Sequence, residues 1–247
     1  MKTRFLSALT AMTALTGIVA TTGVAHAATV TYTTAYDAPT DGTVPYAGFG
    51  YTDIIDAPLS IQKFDSSLGT LNSVTIDFIG DLKGDAGFEN KSPQSSTVTV
   101  DLSGTLKLQL PDGTSVVELN PQQDYSYNVT GYDDTTDYAG TSGKTVEGLT
   151  ASQSDTKTYT DSNSLQTFTG SDDLDLLFSA TAKSTVSGSG NIFSYVTTYA
   201  KSSIQVTYDY QERKKVPEPS AILGLGFVTG VGLWSQRKRI EARMRHS

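Results

Sequence analysis

The residue order predicts an all-β protein: a single antiparallel β-sandwich, jelly-roll-like, between an N-terminal signal peptide and a short C-terminal transmembrane helix. Three observations carry this expectation. Apolar and polar residues alternate with period two in several short runs, the mark of half-buried strands. No stretch long enough for a globular helix holds an apolar stripe at helical spacing. The residues also differ sharply between the middle and the ends. Residues 28–210 contain no Arg, Cys, His, Met or Trp, and hold 8 Lys against 23 Asp and Glu, a formal charge of −15.

That composition excludes much chemistry. Without cysteine or histidine the middle has no thiolate nucleophile, no Ser-His-Asp arrangement and no Cys/His metal site. An acidic surface disfavours nucleic acid, because phosphate binding needs a basic face. The chain is expected not to be an enzyme and to carry no cofactor, although its acid excess allows weak divalent-cation binding as a bulk effect.

The elements follow in order. Residues 1–27 read as a signal peptide: Lys2 and Arg4 open it, a mostly apolar stretch follows, and Ala25-His26-Ala27 fits the small-x-small cleavage pattern, which places the cut before Ala28. Residues 28–210 form the predicted sandwich. Val74, Ile76 and Phe78 alternate with polar neighbours, as do Val98, Val100 and Leu102, then Leu106, Leu108 and Leu110, and finally Ile204, Val206, Tyr208 and Tyr210. Asp112-Gly113 between two apolar runs predicts a hairpin. Residues 84–97 and 131–163, rich in Gly, Ser, Thr and Asp, read as long loops or a poorly covered hairpin. Residues 211–216 read as a charged linker.

The C-terminal end has three parts in order. Val216-Pro217-Glu218-Pro219-Ser220 precedes an apolar, Gly-rich run from Ala221 to Trp234, and the basic cluster Arg237, Lys238, Arg239 follows. Short against the ~20 residues of a membrane span, the run reads as a weak stop-transfer segment with its basic tail inside.

This arrangement closely resembles a PEP-CTERM sorting signal. The resemblance covers residues 217–239, with 240–247 as a cytoplasmic tail, and makes Pro217, Glu218 and Pro219 the recognition motif. It implies an exosortase-type membrane protease as partner and export to the cell envelope, outer surface or extracellular matrix. The alternative is a plain membrane anchor. A second resemblance is to the choice-of-anchor E family. It rests on Phe64, Asp65, Leu68, Gly69, Leu71 and Val74, and on the closing Val206-Thr207-Tyr208-x-Tyr210. It implies an exported surface domain and transfers no catalytic residue.

Some residue groups admit two readings. Asp172, Asp173 and Asp175, then Asp133, Asp134 and Asp137, then Asp81, Asp85 and Glu89, are either calcium ligands or solvated strand and turn residues. The spacing of a 12-residue calcium loop is absent. Paired carboxylates suffice in principle for a hydrolase, but no residue pattern marks one acid as held protonated. Tyr32, Tyr36, Tyr46, Tyr51, Tyr125, Tyr127, Tyr132 and Tyr138 either pack the sandwich or line a face for extracellular polysaccharide. The expected function is that of an exported structural or adhesive protein, the alternatives being a carbohydrate-binding module and a carboxylate hydrolase.

Overall fold

Apolar alternation closes here into two stacked antiparallel sheets. The computed structural model describes residues 27–38 and 42–213. Apart from Ala27, the residues of the signal-peptide and sorting-signal readings lie outside this range, including Ala25, Pro217, Glu218, Pro219, Arg237, Lys238 and Arg239. The strands are β1 (Ala27–Ala35), β2 (Gly50–Tyr51), β3 (Ile54–Gln62), β4 (Gly69–Asn90), β5 (Ser96–Gln109), β6 (Ser115–Leu119), β7 (Gln122–Val129), β8 (Gly143–Tyr159), β9 (Asp173–Ala182), β10 (Thr185–Gly188) and β11 (Ile192–Glu212). One short helix, α1 (Ser162–Thr167), precedes β9 and is capped by Asp161, whose carboxylate accepts the Ser164 N–H at 3.0 Å.

The first sheet has the order β1-β11-β4-β8, with β2 also on β11. The second has the order β10-β5-β9-β3, with β6 and β7 also on β5. Strands β4 and β11 pair from Asn90↔Ile192 to Gly69↔Glu212, with one register shift at Asp209/Tyr210.

Period two puts one residue set inside. Val74, Ile76 and Phe78 of β4 meet Val98, Val100, Leu102, Leu106 and Leu108 of β5 and Leu176 and Phe178 of β9 in one core. Burying each such side chain stabilises by about 1.5–3 kcal/mol. Gly84 makes room for the facing sheet: a Cβ there would lie 2.6 Å from Leu102. Tyr208 is also buried; its hydroxyl donates to the Gln62 carbonyl at 2.9 Å, and burial pushes its pKa well up.

The predicted hairpin forms. Gly113 takes φ +85°, and the Leu110 N–H donates to the Thr114 carbonyl at 2.8 Å between β5 and β6.

Three boundaries differ from the sequence reading. Residues 84–90 belong to β4 and 96–97 to β5, so only 91–95 connect them. Residues 143–159 of the second proposed loop are strand β8, and 162–163 open α1. The two supposed loops pair with each other, as in Phe88↔Lys144 and Glu89↔Gly143. Ladder hydrogen bonds come from the backbone, so polar side chains do not prevent pairing once a register is set elsewhere on β4. The reading of a poorly covered segment suits β8, because its second half is largely exposed. The last strand also includes Gln211 and Glu212, which pair with Thr70 and Gly69, two residues into the predicted linker.

Phe64, Asp65, Leu68 and Gly69 lie at the corner between β3 and β4. Phe64 is buried against Tyr208 and Tyr210, and Asp65 accepts the Ser67 N–H at 2.8 Å to set the turn. Gly69 starts β4 where a Cβ would lie 2.0 Å from the Gln211 carbonyl oxygen.

Candidate functional site

The odd-numbered residues of β11 face away from the core. Their order, Phe193, Tyr195, Thr197, Tyr199 and Lys201, puts three aromatic rings on the outer face of the five-stranded sheet. Two loops add further rings. The result is two aromatic groups on one face, with Thr197 and Asp85 between them.

The first group is Tyr138, Phe193 and Tyr195. Tyr138 stacks on Phe193 with centroids 5.8 Å apart and planes 14° apart, and meets Tyr195 edge-on at 5.1 Å. Phe193 remains 53% exposed and Tyr195 43%. Both are therefore available to a ligand, unlike the core aromatics. Tyr195 lies across Gly87, its register partner on β4; a Cβ on Gly87 would fall 2.2 Å from the ring.

Tyr138 sits at φ +57°, unusual for a bulky side chain, and its surroundings hold it there. Its N–H donates to the Glu89 carboxylate at 3.0 Å, and its carbonyl accepts the Thr145 hydroxyl at 3.1 Å. Glu89 is fully buried, and its other oxygen accepts the hydroxyl of the equally buried Ser142. A buried carboxylate is retained where donors satisfy it, and here those donors are the loop's own.

The second group is Tyr46, Phe49, Tyr51 and Tyr199. Tyr199 meets Tyr46 at 5.3 Å and Tyr51 at 5.1 Å, while the Lys83 ammonium lies 4.5 Å from the Tyr46 centroid. Asp85 accepts hydrogen bonds from the hydroxyls of Tyr46 and Tyr199 and from the Gly148 N–H. Burial, then the bond to Asp85, pushes the Tyr46 pKa up to about 12. Burial, then the Asp85 charge, pushes Tyr199 up to about 12 as well. This group is largely closed, with Tyr199 only 5% exposed, and Tyr51 is its open edge.

The tyrosines singled out from sequence divide cleanly. Tyr32 packs on Tyr208, Tyr36 on Phe178 and Tyr127 on Phe88, while Tyr125 exchanges hydrogen bonds with Thr150. These four serve packing. Tyr132 takes a hydrogen bond from the Lys91 ammonium at 2.9 Å. Only Tyr46, Tyr51 and Tyr138 join the outer aromatic groups. Sequence reasoning missed Phe193, Tyr195 and Tyr199. The signal was present: they share the parity of Lys201, Gln205 and Asp209, opposite to Ile204, Val206 and Tyr208.

The acidic groups are used locally. Asp133 accepts the Thr135 hydroxyl and N–H at 2.7 and 3.1 Å, which holds its carboxyl down at about 2. Asp137 accepts the Ala139 N–H, and Asp134 takes φ +68° in the same turn. Asp172 pairs with Lys63 at 2.9 Å; Asp173 and Asp175 are exposed beside buried Leu174 and Leu176. Asp81 accepts the Ser152 hydroxyl at 2.6 Å. Among the described residues, no three acids converge into a metal-sized cluster.

No known family model matches this chain, and no curated protein sequence matches it. Among solved structures the chain is similar to those of infectious bursal disease virus. The Gt strain structure shares 12% identity over 80% of this chain and 54% of that one, with a TM-score of 0.15. The T13 viral particle shares 11% identity over 76% of this chain and 40% of that one, with a TM-score of 0.18. The chain thus spans about half or less of the length of those chains, and at such scores the likeness carries no argument.

Proposed function

We propose that this chain is an exported bacterial surface or matrix protein, recognised at its C-terminus by an exosortase, with a structural or adhesive, non-catalytic β domain. The observation that carries the reading is the order of Pro217-Glu218-Pro219, the apolar run and Arg237-Lys238-Arg239. Ala25 and Ala27 supply the matching export signal at the other end. The choice-of-anchor resemblance of Phe64, Asp65, Leu68, Gly69, Leu71 and Val74 points to the same reading. On this reading the envelope, outer surface or extracellular matrix is the destination. Weak divalent-cation binding comes from the acid excess.

We further take the sandwich to be a jelly roll. Strand order supports this: β1-β11-β4-β8 faces β3-β9-β5, and β5 continues to β6 and β7. Strands β1, β3, β4 and β5 alternate between the sheets, as do β8, β9 and β11.

Intact-mass spectrometry of the protein, isolated separately from membrane and extracellular fractions, tests the sorting reading. A start at Ala28 and an end near Pro217 to Ser220 is the expected result. A mass that retains the tail through Ser247 in every fraction would sink it and leave a plain anchor.

A further inference from the structure

The outer-face rings are unequal. Tyr199 is closed over, whereas Phe193 and Tyr195 stay half-exposed on the outer face of the sheet, with Tyr138 set beside them. We propose that Tyr138, Phe193 and Tyr195 form a stacking platform for an uncharged glycan, with Gly87 as the seat of the Tyr195 ring and Glu89 as the positioning residue of the loop that bears Tyr138.

Three features select this occupant. The first is area. A fully buried aromatic ring covers about 150–250 Å², so three partly exposed rings offer on the order of 300 Å². A stable protein partner needs roughly 800 Å² on each side. The platform is too small for that and suits a short stretch of sugar residues, whose C–H faces stack on rings. The second is charge. The surrounding domain carries −15 over residues 28–210, which repels a polyanionic polysaccharide. The nearby lysines are engaged elsewhere: Lys144 lies 4.8 Å from the Tyr127 ring, and Lys83 lies over Tyr46 and Phe49. The third is preorganisation. The positive φ of Tyr138 is held by Glu89, which accepts its N–H, and by Thr145, whose hydroxyl donates to its carbonyl. A fixed platform lowers the ordering cost of binding.

The assignment rests on the adhesive reading above, but its test is independent of processing at either end. The purified full chain is run through gels containing soluble neutral polysaccharides (a β-glucan, a xyloglucan, a galactomannan), with hyaluronate as the anionic comparison. Retardation by at least one neutral polymer, insensitive to salt, is the expected result. Phe193→Ala and Tyr195→Ala then weaken binding about tenfold or more, as loss of an anchoring ring does. Gly87→Ala weakens it as well by displacing the Tyr195 ring, although every aromatic residue is still present. Ile79→Ser, exposed on the same face but eight residues further along β4, leaves binding unchanged. Circular dichroism checks that each variant is folded; should Phe193→Ala fail that check, Phe193→Leu replaces it.

Retardation by no neutral polymer overturns the proposal, as does salt-sensitive retardation by hyaluronate alone. Self-association that Phe193→Ala abolishes would make the platform an interface between copies and overturn it too. If binding fails while the mass data show both processing events, only the platform falls. If binding persists while the tail is retained, only the sorting reading falls.

Discussion

The two halves of β11 present different surfaces on the same side of the same strand. From residue 193 to 201 the outward set is Phe, Tyr, Thr, Tyr, Lys; from 203 to 211 it is Ser, Gln, Thr, Asp, Gln. The second half continues across the sheet as a row of threonines. Thr31, Thr207, Thr75 and Thr158 are successive register partners on β1, β11, β4 and β8. Their hydroxyls bond in pairs at 3.1 Å, Thr31 with Thr207 and Thr75 with Thr158. The threonines of the polar half are thus paired within the sheet, and Asp209 accepts from Asn72 at 3.1 Å. The aromatic half draws loops onto itself, 43–49 over Tyr199 and 131–142 beside Phe193. One strand can thus carry a self-contained surface and a surface built for contact, and side-chain chemistry at one parity decides which.

The largest effect is expected from beneath the two halves. Phe78→Ala or Phe178→Ala removes a fully buried ring from the one core that both halves cover and is expected to destabilise by about 3–5 kcal/mol in chemical denaturation. An effect on one half alone would mean that the halves do not share a core. Next in size is Glu89→Ala, which strips the buried acceptor from the Tyr138 N–H and the Ser142 hydroxyl. Leaving buried donors unpaired costs about 1–3 kcal/mol. Hydrogen exchange should rise at residues 138–143 and stay unchanged along the threonine row.

A pH titration separates the halves without mutation. Tyr46 and Tyr199 have pKa values raised to about 12, above the ~10 of an unfolded tyrosine. The stabilisation this represents is full below about pH 10 and is lost as pH rises toward about 12. Phenolate absorbance should therefore show tyrosines ionising late and together with loss of the 43–49 cover. At the acid end the sign reverses: the Asp133 carboxyl, held at about 2, supports its turn above about pH 4 and releases it as pH falls toward 2. Amide exchange at Thr135 and Thr141 would register that release. The smallest effect is expected at Thr207→Val, about 0.5 kcal/mol, because one half-buried hydroxyl pair is all it removes. A larger loss would mean that the threonine row acts as a unit.

Legibility in the sequence followed periodicity. Val74 to Phe78, Val98 to Leu102 and Ile204 to Tyr210 each mark a buried face, and all lie in the core. Asp112-Gly113 marks its own turn. Residues 84–90 and 143–149 were not legible as strands, because their pairing depends on a register set where apolar alternation is strong. Asp85 and Glu89 read as ligands or loop residues, yet each holds a loop to the sheet. Tyr138 was noticed for its residue type alone; its place beside Phe193 follows from a turn set by Asp133, Asp137 and Glu89, residues distant from β11 in the chain.

Residue order was enough for the sandwich class, the inward residues of the main strands, the acidic charge of the domain and the motifs at both ends. These are local or additive properties: period, composition and short patterns. Tertiary structure alone decided that Phe193 and Tyr195 stay open while Tyr199 is covered, and that Gly87 leaves room for a ring. It also decided that Glu89 buries its charge among a loop's donors. Those outcomes depend on which strands become neighbours and in what register, and a single strand's pattern does not contain that choice.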